Sequence, residues 1–296
     1  MNTQAIRGLK QMVSFSFLNN LAITLLTFII LISLAAFVSS DKLPIYAYVT
    51  SVFIMTISSY FLWFFNFSKL NNNTSYVVNE ELTTKDLFKV SIPLLLGQSM
   101  MLVMGKVDLL MLANMTSSEE VGIYNIALKL SMLAYLGLMA VNSIAAPKFS
   151  EIHSSGNMEA LKRIVQQSTK IIFWITLPIV IVFLSVPEFV LSIFGEDFKL
   201  AALALIILSI SKMFSAISGS VGTFLQMVGK QNVFQNILIF AALVNIILNY
   251  LLIPEYGIEG AAFASAFSGI LWNAMMILYI KRNFGFYTIY FPGITR

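Results

Sequence analysis

The sequence contains no cysteine and a single histidine, His153. Disulfide frameworks, thiolate nucleophiles and cysteine-based metal sites are therefore excluded, and one histidine leaves the other common metal sites without their ligands. No P-loop, GxSxG or HExxH motif is present, so direct use of ATP, serine hydrolysis and zinc proteolysis all lack their residues. A filter resembling TVGYG is also missing, which argues against a potassium channel. We expect no enzymatic activity, no cofactor and no metal site.

Charged residues are scarce at 11%, whereas hydrophobic residues make up 58% of the chain. A water-soluble domain of this composition could not cover itself with polar surface, so lipid must be the main solvent. The apolar residues fall in blocks of about twenty, the length that crosses about 30 Å of hydrocarbon. The first block is too long for a signal peptide, and we expect it to be retained. The sequence predicts an all-α polytopic transmembrane bundle of about eight helices, at roughly residues 15–38, 44–67, 91–113, 121–146, 171–194, 200–222, 233–253 and 258–280.

The basic residues indicate how these helices are oriented. Thirteen of the 18 Lys and Arg residues fall in the termini and in every second connection, while the alternate connections contain only Lys42 and Lys199. Because Lys and Arg favour the cytoplasmic side during insertion, both termini are predicted to be cytoplasmic, in a multi-pass protein of the cytoplasmic membrane. The scattered positions of these charges argue against nucleic acid as a partner.

One connection on the predicted cytoplasmic side has helical periodicity of its own. In residues 157–170, Leu161 and Val165 recur at helical spacing opposite Lys162 and Arg163. This pattern predicts an amphipathic helix on the membrane surface. It would either lead into the fifth span without a separate role or recognise lipid headgroups.

Four charged side chains inside the predicted spans are candidates for function: Lys106, Asp108, Lys129 and Lys212. Insertion scales put the cost of each at about 2.5 to 3.5 kcal/mol, so each needs a partner or a water-filled cavity. Lys106 and Asp108 are two residues apart and project from different sides of their helix. Asp108 and Lys129 lie at similar depths on consecutive spans, which makes an ion pair between them reachable. Such a pair would simply fix helix packing or would take part in function.

Lys212 lies near the middle of the sixth span, among serines and far in sequence from any acidic residue. An unpaired ammonium group in low dielectric would attract an anionic substrate such as a phosphate, so Lys212 is predicted to line a solvated cavity. The alternative is a partner distant in sequence. Amide side chains would add hydrogen-bonding groups to the same cavity or join helices to each other; they are Gln98, Asn125, Asn142, Gln226, Asn245 and Asn249.

Several blocks of the sequence resemble the polysaccharide-export, Wzx-type flippases of the MOP superfamily. Their order along the chain and their positions on the predicted helices also match, and together they cover roughly residues 84–282. The blocks are VGIYNIALKL at 121–130, APKF at 146–149, FGEDF at 194–198, QMVGKQN at 226–232 and YGIEGAA at 256–262.

The resemblance implies a MATE-like fold in which two six-helix lobes work by alternating access. Residues 83–282 would form the C-terminal six-helix lobe, and residues 283–296 a cytoplasmic tail. Residues 1–82 would supply the last two helices of a partial N-terminal lobe and a cytoplasmic linker. The chain would then lack about four N-terminal helices, and the last two of members with fourteen. It would be an incomplete copy, a sequence with a wrongly assigned start, or one part of an assembly.

The resemblance further implies a cargo, an anionic lipid-linked oligosaccharide on undecaprenyl diphosphate, moved across the bacterial inner membrane for surface polysaccharide or O-antigen synthesis. Its diphosphate would meet cations in the central cavity, assigned by type and depth to Lys129, Lys212 and Lys106. Asp108 would orient Lys129 or accept a coupling cation. Membrane lipids and the glycosyltransferases and polymerase of polysaccharide assembly are the expected partners. Two other hypotheses stay open, a multidrug–cation antiporter of the same superfamily and a non-transporting membrane scaffold.

Overall fold

The computed structural model describes residues 22–35, 43–71 and 83–292, which form helices and no strand. The chain divides into two units, Met1–Glu81 and Leu82–Arg296.

In the first unit, α1 (Ala22–Ala35) packs against α2 (Leu43–Asn71). Apart from Leu43, the buried side chains of α2 at residues 43–61 are small: Ala47 and Ser51 lie one turn apart, and the Ser51 hydroxyl donates to the Ala47 carbonyl over 2.6 Å. Small residues on a packed face let membrane helices approach closely.

The second unit holds the longer part of the chain. Its elements are α3 (Thr84–Met115), α4 (Ser118–Leu133), α5 (Leu136–Ser154), α6 (Met158–Ser185), α7 (Pro187–Ser192), a 3-10 helix (Glu196–Ala201), α8 (Ala202–Ser218), α9 (Val221–Met227) and α10 (Gln231–Phe284). The long α10 packs against α3 and α8, and α6 packs against α5 and α8.

Five helical segments of the described residues are long and apolar enough to cross a membrane: α2, α3, α6, the 3-10 helix together with α8, and α10. The bent pair α4 and α5 makes a sixth. The eight predicted spans differ from this count at two places. They divide α10 into two, and they place a span at 15–38, of which the structure describes only α1. The chain is a multi-pass membrane protein of helical class, as predicted. Large apolar side chains on its surface fit contact with lipid, among them Leu102, Trp174 and Leu278.

The start of α3 is fixed by a capping box. The backbone N–H of Asp86 donates to the Thr83 hydroxyl over 3.3 Å, and the Asp86 carboxylate accepts from the Thr83 backbone N–H over 3.3 Å. These bonds satisfy two donors that the first turn of a helix leaves without partners. Pro93 lies inside α3 without ending it.

The fourth predicted span is broken by a bend of 45° between α4 and α5. The break leaves the Ala134 carbonyl outside the regular helical pattern, and the hydroxyl of Thr176 on α6 donates to it over 3.1 Å. Next to the break, Gly137 lies so close to α6 that a Cβ there would come within 2.7 Å of Ile175. The bend is therefore held by contacts with α6.

The helix α10 is a hairpin with two arms, 231–256 and 258–284, joined at Gly257. Gly257 has φ 53° and ψ −126°, a backbone conformation that favours glycine. Beyond this turn the arms lie against each other, because a Cβ on Gly260 would come within 2.7 Å of the Leu252 carbonyl carbon. Each arm is longer than the twenty or so residues that cross a membrane.

Two clusters of buried apolar side chains lie at the two ends of the second unit. One joins α4, α7 and the residues flanking Gly257, and includes Ile123, Leu191 and Ile258. The other joins α5, α6 and the end of α10, and includes Phe149 and Ile280. The connections therefore group at the two ends as the predicted spans require. Which end is cytoplasmic stays a prediction from the charge pattern.

The predicted surface helix at 157–170 is the first part of α6, which continues without a break to Ser185. Its apolar residues Leu161 and Val165 are fully buried in the protein core. The predicted position on the membrane surface is therefore wrong, because the apolar face that would have contacted lipid is buried in the cluster that contains Phe149 and Ile280. The helix leads into the fifth span.

Candidate functional site

Asp108 is a fully buried carboxylate in the last third of α3. Its Oδ2 accepts hydrogen bonds from the Tyr124 hydroxyl, over 3.0 Å, and from the Ser265 hydroxyl. Its Oδ1 accepts from the side-chain amide of Asn249 over 2.7 Å and from that of Asn245 over 3.4 Å. A buried carboxylate without such partners would be very costly. These five residues, together with Ser268, are called the Asp108 cluster below.

Three helices position the Asp108 cluster. Asn245 and Asn249 are four residues apart on the first arm of α10 and so share one helix face. The second arm returns past them after the turn at Gly257, and the Asn245 amide donates to Ser268 over 3.2 Å. The α10 hairpin thus brings amides and hydroxyls from two arms onto a carboxylate of α3.

The side-chain nitrogens of Asn245 and Asn249 form hydrogen bonds, whereas their side-chain oxygens form none within the described part of the chain. The Asn249 nitrogen donates to Asp108 and to the Asn245 carbonyl, over 2.7 Å and 3.0 Å. The Oδ1 atoms of Asn245 and Asn249 are buried, and neither accepts a hydrogen bond from the described residues. Two neutral oxygen acceptors therefore lie beside the carboxylate, a set of groups that suits a small monovalent cation or a water molecule. Within the described residues, no group of three or more His, Cys, Asp or Glu side chains could hold a metal ion.

The predicted ion pair between Asp108 and Lys129 is not formed. Tyr124 is the residue of α4 that contacts Asp108, and Lys129 lies five residues further, about 140° round the helix. Lys129 is exposed on that other face, and Lys106 is exposed on α3 opposite Asp108. The neutral donors of the cluster take the place that the sequence analysis assigned to Lys129.

Lys212 lies on α8, partly buried, with its Nζ 5.5 Å from the centre of the Tyr135 ring. Tyr135 belongs to the break between α4 and α5, so the ammonium group lies over the bent part of that span. Lys212 forms no ion pair with Asp108 or with another acidic side chain of the described residues. Lys212 forms no hydrogen bond with the described residues.

The serines near Lys212 join α8 to the second arm of α10. The Ser211 hydroxyl donates to the Ala266 carbonyl over 3.2 Å, and the Asn273 amide donates to Ser215 over 3.0 Å. These contacts fix helix packing. Ser209 differs from them, since its buried hydroxyl has no partner in the described part of the chain.

The predicted amides fall into three groups. Asn245 and Asn249 belong to the Asp108 cluster. Gln98 on α3 donates to the side-chain oxygen of Gln226 on α9 over 3.3 Å, so these two predicted residues contact each other and not Asp108. The remaining two, Asn125 on α4 and Asn142 on α5, are partly buried.

Two family models match this chain. The one described as MatE covers residues 93–251, which includes Asp108, Lys212 and Asn249. The other, described as Polysaccharide biosynthesis protein, covers residues 3–153. Each extends over more than half of the chain. The chain belongs to the flippase-type family of the MOP superfamily.

Curated relatives of this MOP-superfamily chain include proteins of archaea and bacteria. It is 26% identical over 54% of its length to a probable low-salt glycan biosynthesis flippase, Agl15, of Haloferax volcanii. It is 24% identical over 73% of its length to the capsular polysaccharide biosynthesis protein CapF of Staphylococcus aureus. The matches cover 34% and 55% of those proteins, so the chain spans about a third to half of the relatives' length.

Solved MATE structures share the fold. A MATE transporter in the straight conformation superposes with a TM-score of 0.76 at 15% identity, covering 96% of this chain and 65% of that one. The outward-facing form of a multidrug resistance MATE transporter of the MOP superfamily gives 0.59 at 16% identity, covering 73% of this chain and 51% of that one. The predicted MATE-like bundle is confirmed.

Sequence reasoning missed Tyr124, Ser265 and Ser268 in the Asp108 cluster of this flippase-type chain. Tyr124 and Ser265 are isolated polar groups in apolar runs, and nothing in their local pattern distinguishes them from interface residues. A weak signal existed in the spacing of Asn245 and Asn249, which places two amides on one helix face. Those amides needed a partner, and Asp108 is one of three acidic residues within the predicted spans, with Glu188 and Glu259.

Proposed function

We propose that this chain moves an anionic lipid-linked oligosaccharide, carried on undecaprenyl diphosphate, across the cytoplasmic membrane, and that a cation or proton bound in the Asp108 cluster drives the movement. The observation that carries the proposal is the buried carboxylate of Asp108, surrounded by donors from three helical segments. An ionisable residue at membrane depth marks an ion or substrate pathway by default.

The composition of the Asp108 cluster favours a monovalent ion or a proton. Its single carboxylate supplies one negative charge, and its other groups are neutral amides and hydroxyls. Divalent cations generally require more anionic oxygens or retained water ligands. The unpartnered Oδ1 atoms of Asn245 and Asn249 would become ligands if their amides turned towards the ion.

Lys212 is the residue that we assign to the anionic cargo. Its ammonium group is partly buried and forms no hydrogen bond with the described residues, so it is available to a diphosphate. Lys129 and Lys106 are exposed on α4 and α3 and would add positive charge along the path of the cargo. The relatives named as a glycan flippase and a capsular polysaccharide protein support a glycan over other anionic cargo.

The proposed setting is the bacterial cytoplasmic membrane with both termini in the cytoplasm, as the Lys and Arg distribution predicts. Glycosyltransferases and a polymerase of surface polysaccharide synthesis would make and consume the cargo. The proposed direction is therefore from the cytoplasmic leaflet, where the repeat unit is built, to the outer leaflet.

Deletion of the gene tests the proposal. We expect a clean deletion strain to lose surface polysaccharide, measured by immunoblot of cell extracts, and to regain it with the wild-type gene. Asp108→Asn should fail to restore it, whereas Asp197→Asn, which changes an exposed carboxylate outside the cluster, should restore it fully. Normal polysaccharide in the deletion strain would contradict the proposed cargo.

A multidrug–cation antiporter is the second candidate, favoured by the match to MatE. Drug resistance assays in the same strains at varied sodium concentration and pH separate the two. Lower resistance after deletion with unchanged polysaccharide would favour the antiporter.

A further inference from the structure

A cavity of about 370 Å³ opens at the end of the second unit where the α5–α6 connection, the α9–α10 connection and the last turn of α10 meet. It is lined by His153, Met158, Val228, Lys230, Asn283 and Phe284. Its volume falls within the range of about 300 to 1,000 Å³ that is typical of small-molecule sites. None of its residues belongs to the Asp108 cluster or lies near Lys212 in the sequence. It is called the basic cavity below.

His153 lines the basic cavity and has a polar atom that the protein does not use. Its Nδ1 is buried and has no hydrogen-bond partner among the described residues. The imidazole packs edge-on against Phe284, with ring centres 6.2 Å apart, and this contact limits its rotation. A buried polar atom that the protein leaves without a partner calls for a bound group that supplies one.

Lys230 supplies the positive charge. It lies at the N-cap position of α10, is exposed, and forms no ion pair within the described part of the chain. No side chain caps the first turn of α10, so that turn keeps free N–H groups beside the ammonium group. Free N–H groups at the start of a helix and a lysine attract the same ligands, which are anions with several oxygen atoms.

The surroundings of the basic cavity increase this preference. No acidic side chain lines it. The basic residue Lys281, in the last turn of α10, is already engaged: its ammonium group donates to the Gly285 carbonyl over 3.2 Å and lies 4.5 Å from the centre of the Tyr287 ring. Lys230 is therefore the cation that lines the cavity, while Lys281 and the exposed Arg282 in the same turn add background positive potential.

We propose that the basic cavity binds a phosphate group, held by Lys230, by His153 and by N–H groups in the first turn of α10. The phosphate would come from a phospholipid headgroup or from free phosphate in solution, and the chemistry of recognition is the same for both. Anionic lipid headgroups commonly bind in basic pockets between membrane helices. This inference does not depend on the proposed oligosaccharide cargo.

The single histidine of the chain provides the test. Full-length protein labelled with ¹³C at histidine Cε1 gives one imidazole signal, which reports on the basic cavity alone. In detergent at constant pH and ionic strength, the protein is titrated with inorganic phosphate, with dioctanoyl phosphatidylglycerol, and with chloride as a control anion. We expect a saturable shift with at least one phosphate-bearing probe and none with chloride.

Matched lysine variants make the test specific. Lys230→Gln should weaken the apparent affinity about ten-fold, since a charge-assisted hydrogen bond is lost. Lys162→Gln removes an exposed lysine that does not line the cavity, and the affinity should not change. A response to lipid alone identifies a headgroup site, and a response to both probes identifies a general phosphate site.

Three results would overturn the inference: no shift with either phosphate-bearing probe, an equal shift with chloride, or equal effects of the two lysine variants. The thermal stability of each variant is measured alongside, and the wild-type titration decides the question by itself if Lys230→Gln proves unstable. Polysaccharide export is not part of the readout, so failure here leaves the proposed function untouched.

Discussion

Asp108 and Lys212 are both ionisable side chains within the helices of the second unit, but their surroundings differ. Asp108 is fully buried and accepts hydrogen bonds from four side chains. Lys212 is partly buried and has an aromatic ring as its neighbour, with no hydrogen bond to the described residues. The protein thus satisfies its buried acid with neutral donors and leaves its buried base available. This difference suggests separate tasks, with the acid binding a small cation and the base meeting an anionic ligand.

The largest effect should come from removing the acceptor at the centre of the cluster. Asp108→Ala leaves the hydroxyls and amides of four residues buried without their acceptor, and we expect the free energy of unfolding to fall by about 3 to 5 kcal/mol. Unfolding in mixed micelles, followed by circular dichroism, measures it. The control Asp197→Ala changes an exposed carboxylate and should stay within about 0.5 kcal/mol. Equal effects of the two substitutions would show that the cluster contributes little to stability.

Ion binding should depend on Asp108 and not on Lys212. If sodium is the coupling ion, a concentration about one hundred times its Kd should raise the free energy of unfolding by about 2.7 kcal/mol. Thermal unfolding in sodium and in N-methylglucamine, at equal ionic strength, measures the difference. Asp108→Asn should abolish the sodium effect and Lys212→Met should keep it. A sodium effect that survives Asp108→Asn would place the ion elsewhere.

The α10 hairpin should be sensitive to the size of one residue. Gly260→Ala would press a methyl group against the Leu252 carbonyl and the Ile253 backbone nitrogen, forcing the two arms apart. We expect a loss of about 1 to 3 kcal/mol in the free energy of unfolding. Gly105→Ala is the matched control, because a Cβ at Gly105 meets nothing within 4 Å. Calorimetry measures the free energy of unfolding of both variants. Equal losses for Gly260→Ala and Gly105→Ala would contradict the prediction.

The smallest change in stability should come from Lys212→Met. It removes a cation near an aromatic ring, an interaction worth about 0.5 to 2 kcal/mol, and keeps the apolar part of the side chain, so the net change should be below about 1 kcal/mol. Transport, measured as restored surface polysaccharide, should nevertheless fall strongly. Lys199→Met, at an exposed ion pair with Glu196, should leave both stability and transport unchanged. Full transport by Lys212→Met would remove Lys212 from the proposed cargo path.

The sequence was sufficient to predict the class of the protein and the positions of most of its helices. Blocks of apolar residues predict membrane helices because hydrocarbon cannot solvate the backbone, and this argument needs no tertiary information. The turn at Gly257 was also predicted, since two spans were placed at 233–253 and 258–280 on either side of it. The bend was not, because neither Ala134 nor Tyr135 is a proline or a glycine and the Thr176 contact that holds the bend comes from another helix.

The site was harder to predict than the fold. Asp108 stood out because a charge in a span is costly, but its partners could not be chosen from depth alone. Similar depth in the membrane indicated Lys129 as the partner of Asp108. The rotation of α4 about its axis instead brings Tyr124 to the carboxylate. Helix rotation is set by packing against all neighbours, so it is not readable from one helix. The same reason explains why Leu161 and Val165, which suit a membrane surface, are buried in the protein.

The turn at Gly257 has a consequence for how this chain tolerates insertions. The second arm of α10 reaches Asp108 only because a fixed number of residues separates Asn249 from Ser265. One inserted residue would rotate that arm by about 100° and move Ser265 away from the carboxylate, while Asn245 and Asn249 kept their places. Side chains on the outer surface of the hairpin can therefore vary widely, but the length of the segment between those two residues cannot.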